Sequence, residues 1–379
     1  MSLSEGAAAP AAVSAPPEDS RWRYVRVERP EDLPEPEPET LDVAILDMNH
    51  GWPNLGHGSL VHEVEAAAAE LCAAQAGLKV RAISFEVRRK GMIPELPGGR
   101  FALYLGTGGP GHLDPRLNDG RSPASQGVDE DPAWEAPLFR LFDAVRADAA
   151  HEDTALLAVC HTFGVLCRWS GIARPVLRGP EKGGKSSGIL ENVLTAEGED
   201  HPWFGQLSEH LRRGRLRITD TRLFDLLPQP ELGSRALPIG YETLGVGGPP
   251  GDALTMVEFA RDRAGIMPRM FAVNHHPEVV ERLAQLKVLQ RMVDAGEVTE
   301  AWASERRKLM TAHLADEDSD RLLKLTADYT LLQPMRFHLF RQARRRAAAL
   351  GLPVTIHEDM ALEGPAAQAA VESVAGGDA

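Results

Sequence analysis

The chain is poor in the features that define several large classes of protein. Its 379 residues include only three cysteines, Cys72, Cys160 and Cys167. The absence of a Cys-x-x-Cys pair argues against a disulfide framework or a structural zinc site. No apolar run approaches the roughly 20 residues of a membrane-spanning helix, and the amino terminus lacks the pattern of a secretion signal. We therefore expect a soluble, cytoplasmic protein whose cysteines are thiols.

The chain has fewer basic than acidic residues. Lysine and arginine number 41 against 55 aspartate and glutamate residues, which gives a formal net charge of −14. A chain with this charge repels the phosphates of nucleic acids and anionic membranes. We therefore expect neither a nucleic acid nor a membrane among its partners.

Both ends of the chain are biased in composition. Residues 1–40 are rich in Ala, Pro and Glu and have too few apolar groups to offset the entropy lost on ordering, which predicts a disordered arm. Residues 351–379 lack periodicity and predict a disordered tail. Between these ends we expect one main domain over residues 41–295 and a helical extension over residues 296–350, whose segments are amphipathic.

The main domain alternates strand-like and helical segments. The strand-like apolar runs begin at Leu41, Val80, Phe101 and Ala155. Such alternation predicts an α/β fold with a mainly parallel sheet and helices on both faces. Ligands bind beyond the carboxyl ends of the strands in such sheets. Both the glycine-rich segment 106–111 and Cys160 are expected at that edge.

Cys160 is the candidate nucleophile. It follows the apolar run 155–159 and precedes a helical segment, so its thiol is expected on a sharp turn at the start of a helix. The dipole and free N–H groups of a helix favour a thiolate there. A buried structural cysteine explains the residue equally well, so other segments must decide.

Two further segments supply the groups that a cysteine nucleophile needs. Residues 106–111 read Gly-Thr-Gly-Gly-Pro-Gly, and glycines after a strand can turn a backbone N–H toward a developing oxyanion. His276 and Glu278 would point the same way on an extended backbone, and a histidine oriented by a carboxylate is the required general base. The neighbouring His275 would point to the opposite face and is expected to be structural.

These segments together resemble the class I glutamine amidotransferases, a family with a flavodoxin-like α/β fold. Gly108-Gly109-Pro110-Gly111 matches the family's oxyanion loop, and His276-Pro277-Glu278 matches its base and orienting acid. The similarity covers roughly residues 41–295. The resemblance implies a catalytic triad of Cys160, His276 and Glu278. It implies that the backbone amides of Gly109 and His161 form the oxyanion hole. It also implies substrate contacts from Gly108, Gly111 and Thr162.

The resemblance implies an enzyme that hydrolyses glutamine or a related γ-glutamyl amide. Cys160 would attack the carboxamide, His276 would protonate the departing ammonia, and water would hydrolyse the γ-glutamyl thioester. The ammonia would pass to a partner synthase, and the helical extension would serve as a docking or homodimer surface. Neither a metal nor an organic cofactor is implied.

The segment around Cys160 departs from the family pattern Gly-x-Cys-x-Gly-x-Gln. Thr162 replaces the second glycine and Gly164 replaces the glutamine, which predicts a reshaped substrate pocket. Two alternatives therefore stay open. One is an acyltransferase or γ-glutamyl hydrolase that uses the same Cys-His-Glu site, and the other is a catalytically silent binding module.

Overall fold

The structure is a computed structural model that describes most of the chain. The described residues are 21–147, 154–178, 186–229, 236–242, 253–280, 282–296, 298–301, 303, 304, 307 and 317–356. The strands are β1 (Trp22–Val27), β2 (Thr40–Asp47), β3 (Lys79–Glu86), β4 (Leu103–Gly106), β5 (Ala155–Val159), β6 (Ala173–Leu177), β7 (Ser186–Leu194), β8 (Arg215–Arg222), β9 (Phe224–Pro228), β10 (Leu237–Glu242), β11 (Ala253–Arg261) and β12 (Pro268–Val273). The helices are α1 (Leu55–Ala74), α2 (Val87–Lys90), α3 (Glu135–Ala147), α4 (His161–Ser170), α5 (Ala196–Glu199), α6 (Phe204–Ser208), α7 (Arg282–Asp294), α8 (Glu317–Ala327) and α9 (Gln333–Ala349).

One large sheet organises the molecule, with strand order β1-β3-β2-β4-β5-β12-β11-β10-β7-β8. Neighbours are parallel from β1 to β12 and antiparallel from β12 to β8. A small antiparallel sheet pairs β6 with β9. The predicted α/β fold with a mainly parallel sheet and a helical C-terminal extension is confirmed. Because β4 and β5 are parallel neighbours, their carboxyl ends bring the segment after Gly106 next to Cys160.

The central strands are buried on both faces, as parallel strands between two helical layers must be. All eight residues of β2 are buried, and alternate residues enter different cores. Val43 and Ile45 pack in the core that includes α1 and α9. Ala44 and Leu46 pack in the core that includes α3 and α4.

Within the C-terminal extension, residues 317–349 form one long helix that packs on the sheet of its own chain. A single π-helical turn, Asp328–Leu332, joins α8 to α9. Tyr329, Leu339 and Phe340 are buried in the core shared with α1. The apolar face of the extension is thus used within the chain, so the predicted homodimer surface would have to lie on its polar face.

The structure corrects part of the prediction that residues 1–40 form a disordered arm. The segment 21–40 is ordered, and β1 pairs in parallel with β3 from Trp22 opposite Val80 to Val27 opposite Phe85. Backbone hydrogen bonds to an open sheet edge order a segment whose composition alone does not. Residues 1–20 lie outside the described residues.

The start of the predicted disordered tail also packs on the body. Ile356 is buried, and the Gln75 side-chain amide donates to the Pro353 carbonyl at 2.8 Å. Residues 357–379 lie outside the described residues. In the described part of the chain, no helix has the combination of length and apolarity needed to span a membrane.

Candidate active site

Cys160 lies on a strained turn between β5 and α4. Its backbone has φ 49° and ψ −102°, and a non-glycine residue in such a region costs on the order of 1–3 kcal/mol. Hydrogen bonds on both sides hold the turn, because the Cys160 N–H donates to the Val273 carbonyl at 2.8 Å and the Gly164 N–H donates to the Cys160 carbonyl at 3.1 Å. The Cys160 thiol is half-buried, whereas Cys72 and Cys167 are buried.

His276 and Glu278 follow β12, the parallel neighbour of β5, and complete the candidate triad. The imidazole Nδ1 of His276 lies 2.8 Å from Oε1 of Glu278, and both side chains are buried. The other ring nitrogen, Nε2, is buried without a hydrogen-bond partner among the described residues. A Cβ at Gly108 would lie 3.1 Å from His276 Cε1 and 3.6 Å from Cys160 Sγ. The fold therefore brings three distant segments together around the thiol.

The electrostatics of the site favour a protonated His276. Burial lowers the pKa of His276, but the Glu278 carboxylate and the Cys160 side chain outweigh it and raise the pKa well above its usual range. A neighbouring imidazolium stabilises negative charge on sulfur.

His275 has a different environment. Burial, followed by the charges of His276 and Arg222, lowers the pKa of His275 to about 3. Its Nε2 lies 3.3 Å from the Thr330 hydroxyl in the C-terminal extension. His275 therefore contacts the helical layer, which agrees with its predicted structural role.

The predicted oxyanion loop is held rigidly beside Cys160. A Cβ at Gly109 would overlap the Met48 carbonyl oxygen, so only glycine fits there. Arg88 donates to the carbonyls of Met48 at 2.9 Å and Pro110 at 2.7 Å. Its other nitrogens form a fully buried bidentate pair with Glu130, both at 2.8 Å. This arrangement fixes the direction of the Gly109 backbone.

His161 is the first residue of α4 and lies beside the same loop. Burial lowers the pKa of His161 well below its usual range, despite a hydrogen bond with the Gly109 backbone. The imidazole is therefore neutral and packs against the loop, while Gly109 and His161 both line the pocket that contains Cys160.

The structure contradicts the prediction that Thr162 contacts the substrate. It is fully buried, and its hydroxyl donates to the Thr107 carbonyl at 2.7 Å. A Cβ at Gly106 would lie 2.7 Å from Thr162 Cβ, so the missing side chain of Gly106 leaves room for Thr162. The first turn of α4 thus directs this residue toward β4 and away from the pocket.

A pocket of about 60 Å³ opens beside the thiol. Besides the predicted residues Cys160, His161, Gly109 and Gly111, its wall contains Leu113, Gln126, Thr221, Arg222, Leu223, Phe224, Leu226 and Asn274. These additional residues follow no motif, because loops and strands distant in sequence contribute them only in the folded chain. Predicted Gly108 instead lies between the thiol and the imidazole.

Gly164 and Leu113 pack closely in the wall of the pocket. A Cβ at Gly164 would lie 2.6 Å from Leu113 Cδ2. Leu113 therefore fills the space that a side chain at position 164 would need. Gln126 supplies an amide from another direction, and its Oε1 accepts from the Gly111 N–H at 2.9 Å. The amide is thereby oriented, with its NH₂ group left over for a further acceptor.

Arg222 forms a buried ionic cluster in the pocket wall. It pairs with Asp225 at 3.3 Å, with Asp220 at 3.5 Å and with Glu242. Arg178 adds a second cation, 2.8 Å from Asp225. Of this cluster, only Arg222 lines the pocket. Across the residues that the structure describes, no group of three or more His, Cys, Asp or Glu side chains could hold a metal ion.

Comparison with protein-family models and with curated proteins finds no match. Among solved structures, the fold is similar to a glutamine amidotransferase from Thermotoga maritima, with 15% identity and a TM-score of 0.42, over 80% of this chain and 98% of that one. It is also similar to the glutaminase domain of Trypanosoma brucei CTPS with bound acivicin, with 11% identity and a TM-score of 0.36, over 69% of this chain and 96% of that one. At these identities and TM-scores, substrate and reaction must be argued from the site itself.

Proposed function

We propose that this chain is a cysteine amidohydrolase of the class I glutamine amidotransferase type. It would cleave glutamine or a related γ-glutamyl amide and supply ammonia to a partner synthase. The observation that supports this most is the buried 2.8 Å contact between His276 and Glu278, which orients an imidazole beside a cysteine on a strained turn. A nucleophile, a base and an orienting acid in this order are what covalent amide hydrolysis requires.

The proposed reaction has two balanced halves. The Cys160 thiolate attacks the carboxamide carbon, and the Gly109 and His161 amides bind the resulting oxyanion. His276 gives its Nε2 proton to the amide nitrogen, which leaves as ammonia while a thioester forms. Water then attacks the thioester, His276 takes a proton from that water, and the carboxylic acid product leaves as the Cys160 thiolate and the His276 imidazolium are restored.

Gln126 is proposed to bind the substrate through its amide NH₂ group. Gln126→Glu keeps an oxygen for the Gly111 N–H but removes that donor. We expect KM for glutamine to rise about tenfold, the equivalent of one hydrogen bond, with kcat little changed. Steady-state kinetics would test this, and Gln206→Leu, at an exposed position, is the control. An unchanged KM in Gln126→Glu would remove this residue from the binding site.

Leu113 favours a second candidate within the same chemistry. Because an apolar side chain stands where the family has an amide, the pocket suits a less polar substrate than glutamine. An acyltransferase or γ-glutamyl hydrolase would use the same Cys160, His276 and Glu278. Rates with a panel of γ-glutamyl amides, simple amides and thioesters separate the candidates, because a glutaminase prefers glutamine over all of them.

The central experiment measures ammonia and glutamate release from glutamine by the purified chain. Cys160→Ser should abolish release, and a glutamine-mimicking electrophile should label Cys160 with one equivalent. Cys167→Ser, at a buried cysteine in α4, should still release ammonia and glutamate and should still be labelled at Cys160. If no amide or ester substrate turns over and the electrophile leaves Cys160 unlabelled, the chain is a silent binding module.

A further inference from the structure

A second pocket lies at the opposite edge of the sheet from Cys160. The starts of β2 and β4, Thr154 before β5 and the end of α9 enclose a volume of about 270 Å³. The triad lies beyond the carboxyl ends of the same parallel strands, so the two pockets are separated by the length of the sheet. The volume is several times that of the pocket beside Cys160, about 60 Å³, and exceeds what a single inorganic ion needs.

Two buried donors in the wall of this pocket have no partner. Arg100 Nη2 and Gln342 Nε2 are buried without a hydrogen-bond partner among the described residues. The rest of the Arg100 guanidinium is fixed, because Nε donates to Asp42 at 2.5 Å and Nη1 donates to the Pro34 carbonyl at 2.6 Å. Only 5% of the Arg100 side chain is exposed. An unmet buried donor destabilises the folded chain, and a ligand oxygen would offset that cost.

The pocket is positively charged although the chain carries −14. Arg100, Arg345 and Arg346 line it against one acid, Asp42. Asp42 is itself shared with Arg81, whose Nε lies 2.6 Å away. Arg346 donates to the Pro38 carbonyl at 2.8 Å, and a neutral acceptor leaves its charge uncompensated. An anion is therefore attracted to this edge of an acidic protein.

The remaining wall is apolar. Leu41 and Phe101 are buried and line the pocket together with Ala349. A ligand that satisfies the whole pocket thus needs an acidic head and an apolar body. Two unmet N–H donors match the two oxygens of a carboxylate.

We propose that this pocket binds a small organic carboxylate. The head accepts hydrogen bonds from Arg100 and Gln342, and the apolar body lies against Leu41 and Phe101. This site is independent of the proposed reaction at Cys160, because no residue is shared between them.

Isothermal titration calorimetry of the full chain tests the site with hexanoate, acetate and inorganic phosphate as probes. Hexanoate should bind at least about tenfold more tightly than acetate or phosphate, because only hexanoate meets both walls. Gln342→Leu keeps a similar volume but removes the donor, and should weaken hexanoate binding by about tenfold. Arg341→Gln changes a charge on the same helix that pairs with Asp262, and should leave binding unchanged. Circular dichroism establishes that each variant is folded.

Four results would overturn the proposal. The first is the absence of hexanoate binding by the wild-type chain. The second is binding that Gln342→Leu leaves unaltered or that Arg341→Gln weakens equally, since charge alone would then explain it. The third is binding that disappears in Cys160→Ser, which would place hexanoate in the other pocket. Phosphate binding tighter than that of hexanoate would make this a site for inorganic anions instead.

Discussion

Cys160 occupies a backbone conformation that its own side chain disfavours, with φ 49°. The surrounding hydrogen bonds maintain it, and the result is a thiol that projects toward the imidazole of His276. Glu278 acts one step further away, because it reaches the thiol only through His276. Its contribution can therefore be measured by removing its charge while keeping its shape.

Glu278→Gln should lower kcat by on the order of 10²-fold or more, since general acid–base catalysis loses its orienting charge. The pKa of His276 should also fall, because Glu278 is a main cause of its increase. A raised folded-state pKa stabilises the protein below the unfolded value of about 6.5, and this contribution disappears as pH rises through the folded-state pKa.

Urea unfolding at several pH values checks the linkage part of this prediction. The stability difference between wild type and Glu278→Gln should decrease as pH rises above about 6.5. Glu70→Gln, which alters an acid paired with Arg336, should show no such pH dependence. A pH-independent difference for Glu278→Gln would mean that Glu278 does not control His276.

At the scale of elements, the junction of β4 and α4 sets the position of Cys160. Thr162 packs over Gly106 and binds the Thr107 carbonyl, which ties the start of α4 to the oxyanion loop. The absent side chain of Gly106 and the buried side chain of Thr162 therefore complement each other.

Gly106→Ala should destabilise the protein by about 1–3 kcal/mol through overpacking against Thr162. Thr162→Gly should relieve that clash, so the double variant should be more stable than the sum of the single effects by about 1 kcal/mol or more. Urea unfolding of the four proteins gives this coupling energy. Gly99→Ala combined with Thr162→Gly is the distant control pair and should be additive. Additivity for Gly106 and Thr162 would show that they do not constrain each other.

The local motifs predicted much of the site, whereas features that depend on packing escaped prediction. The positions of Cys160, His276 and Glu278 follow from strand ends in a parallel sheet. The orientation of Thr162 depends on the absent side chain of Gly106, which no spacing rule reveals. Gln126 reaches the pocket only because the Gly111 N–H binds it. The strand β1 pairs with the free edge of β3, whereas the prediction of disorder rested on the Ala, Pro and Glu content of residues 1–40 as a whole.

At the scale of the whole molecule, the C-terminal extension acts as one layer of the fold. Leu339 is fully buried against the sheet, so Leu339→Ala should reduce the free energy of unfolding by about 2–5 kcal/mol. Leu350→Ala, at a residue 38% exposed, should have a small effect. Thermal unfolding and light scattering measure both variants. A changed oligomeric state with unchanged stability would instead assign this face to a partner.

Acid sensitivity should also have a specific origin. Burial lowers the pKa of His338 to about 4, and its Nε2 lies 2.9 Å from the Pro268 carbonyl. As pH falls, the unfolded chain therefore binds a proton at His338 before the folded chain does. The stability that is present above about pH 6.5 is lost as pH falls toward 4, at roughly 1 kcal/mol per pH unit. His338→Gln keeps a donor but does not titrate, so urea unfolding from pH 7 to 4.5 should show a shallower decline. An equally steep decline would exclude His338 as the cause.

The π-helical turn at Asp328–Leu332 changes the phase of the C-terminal helix. One residue more than an α-turn rotates everything beyond it by roughly 100° about the helix axis. Four consecutive residues, 328–331, are buried there, which a single helical stripe cannot achieve. The Tyr329 carbonyl accepts from the Trp203 indole at 2.9 Å. A one-residue deletion in this turn would restore regular winding and keep the apolar side chains of α9 toward the sheet, whereas regular winding without a deletion would rotate them away from it.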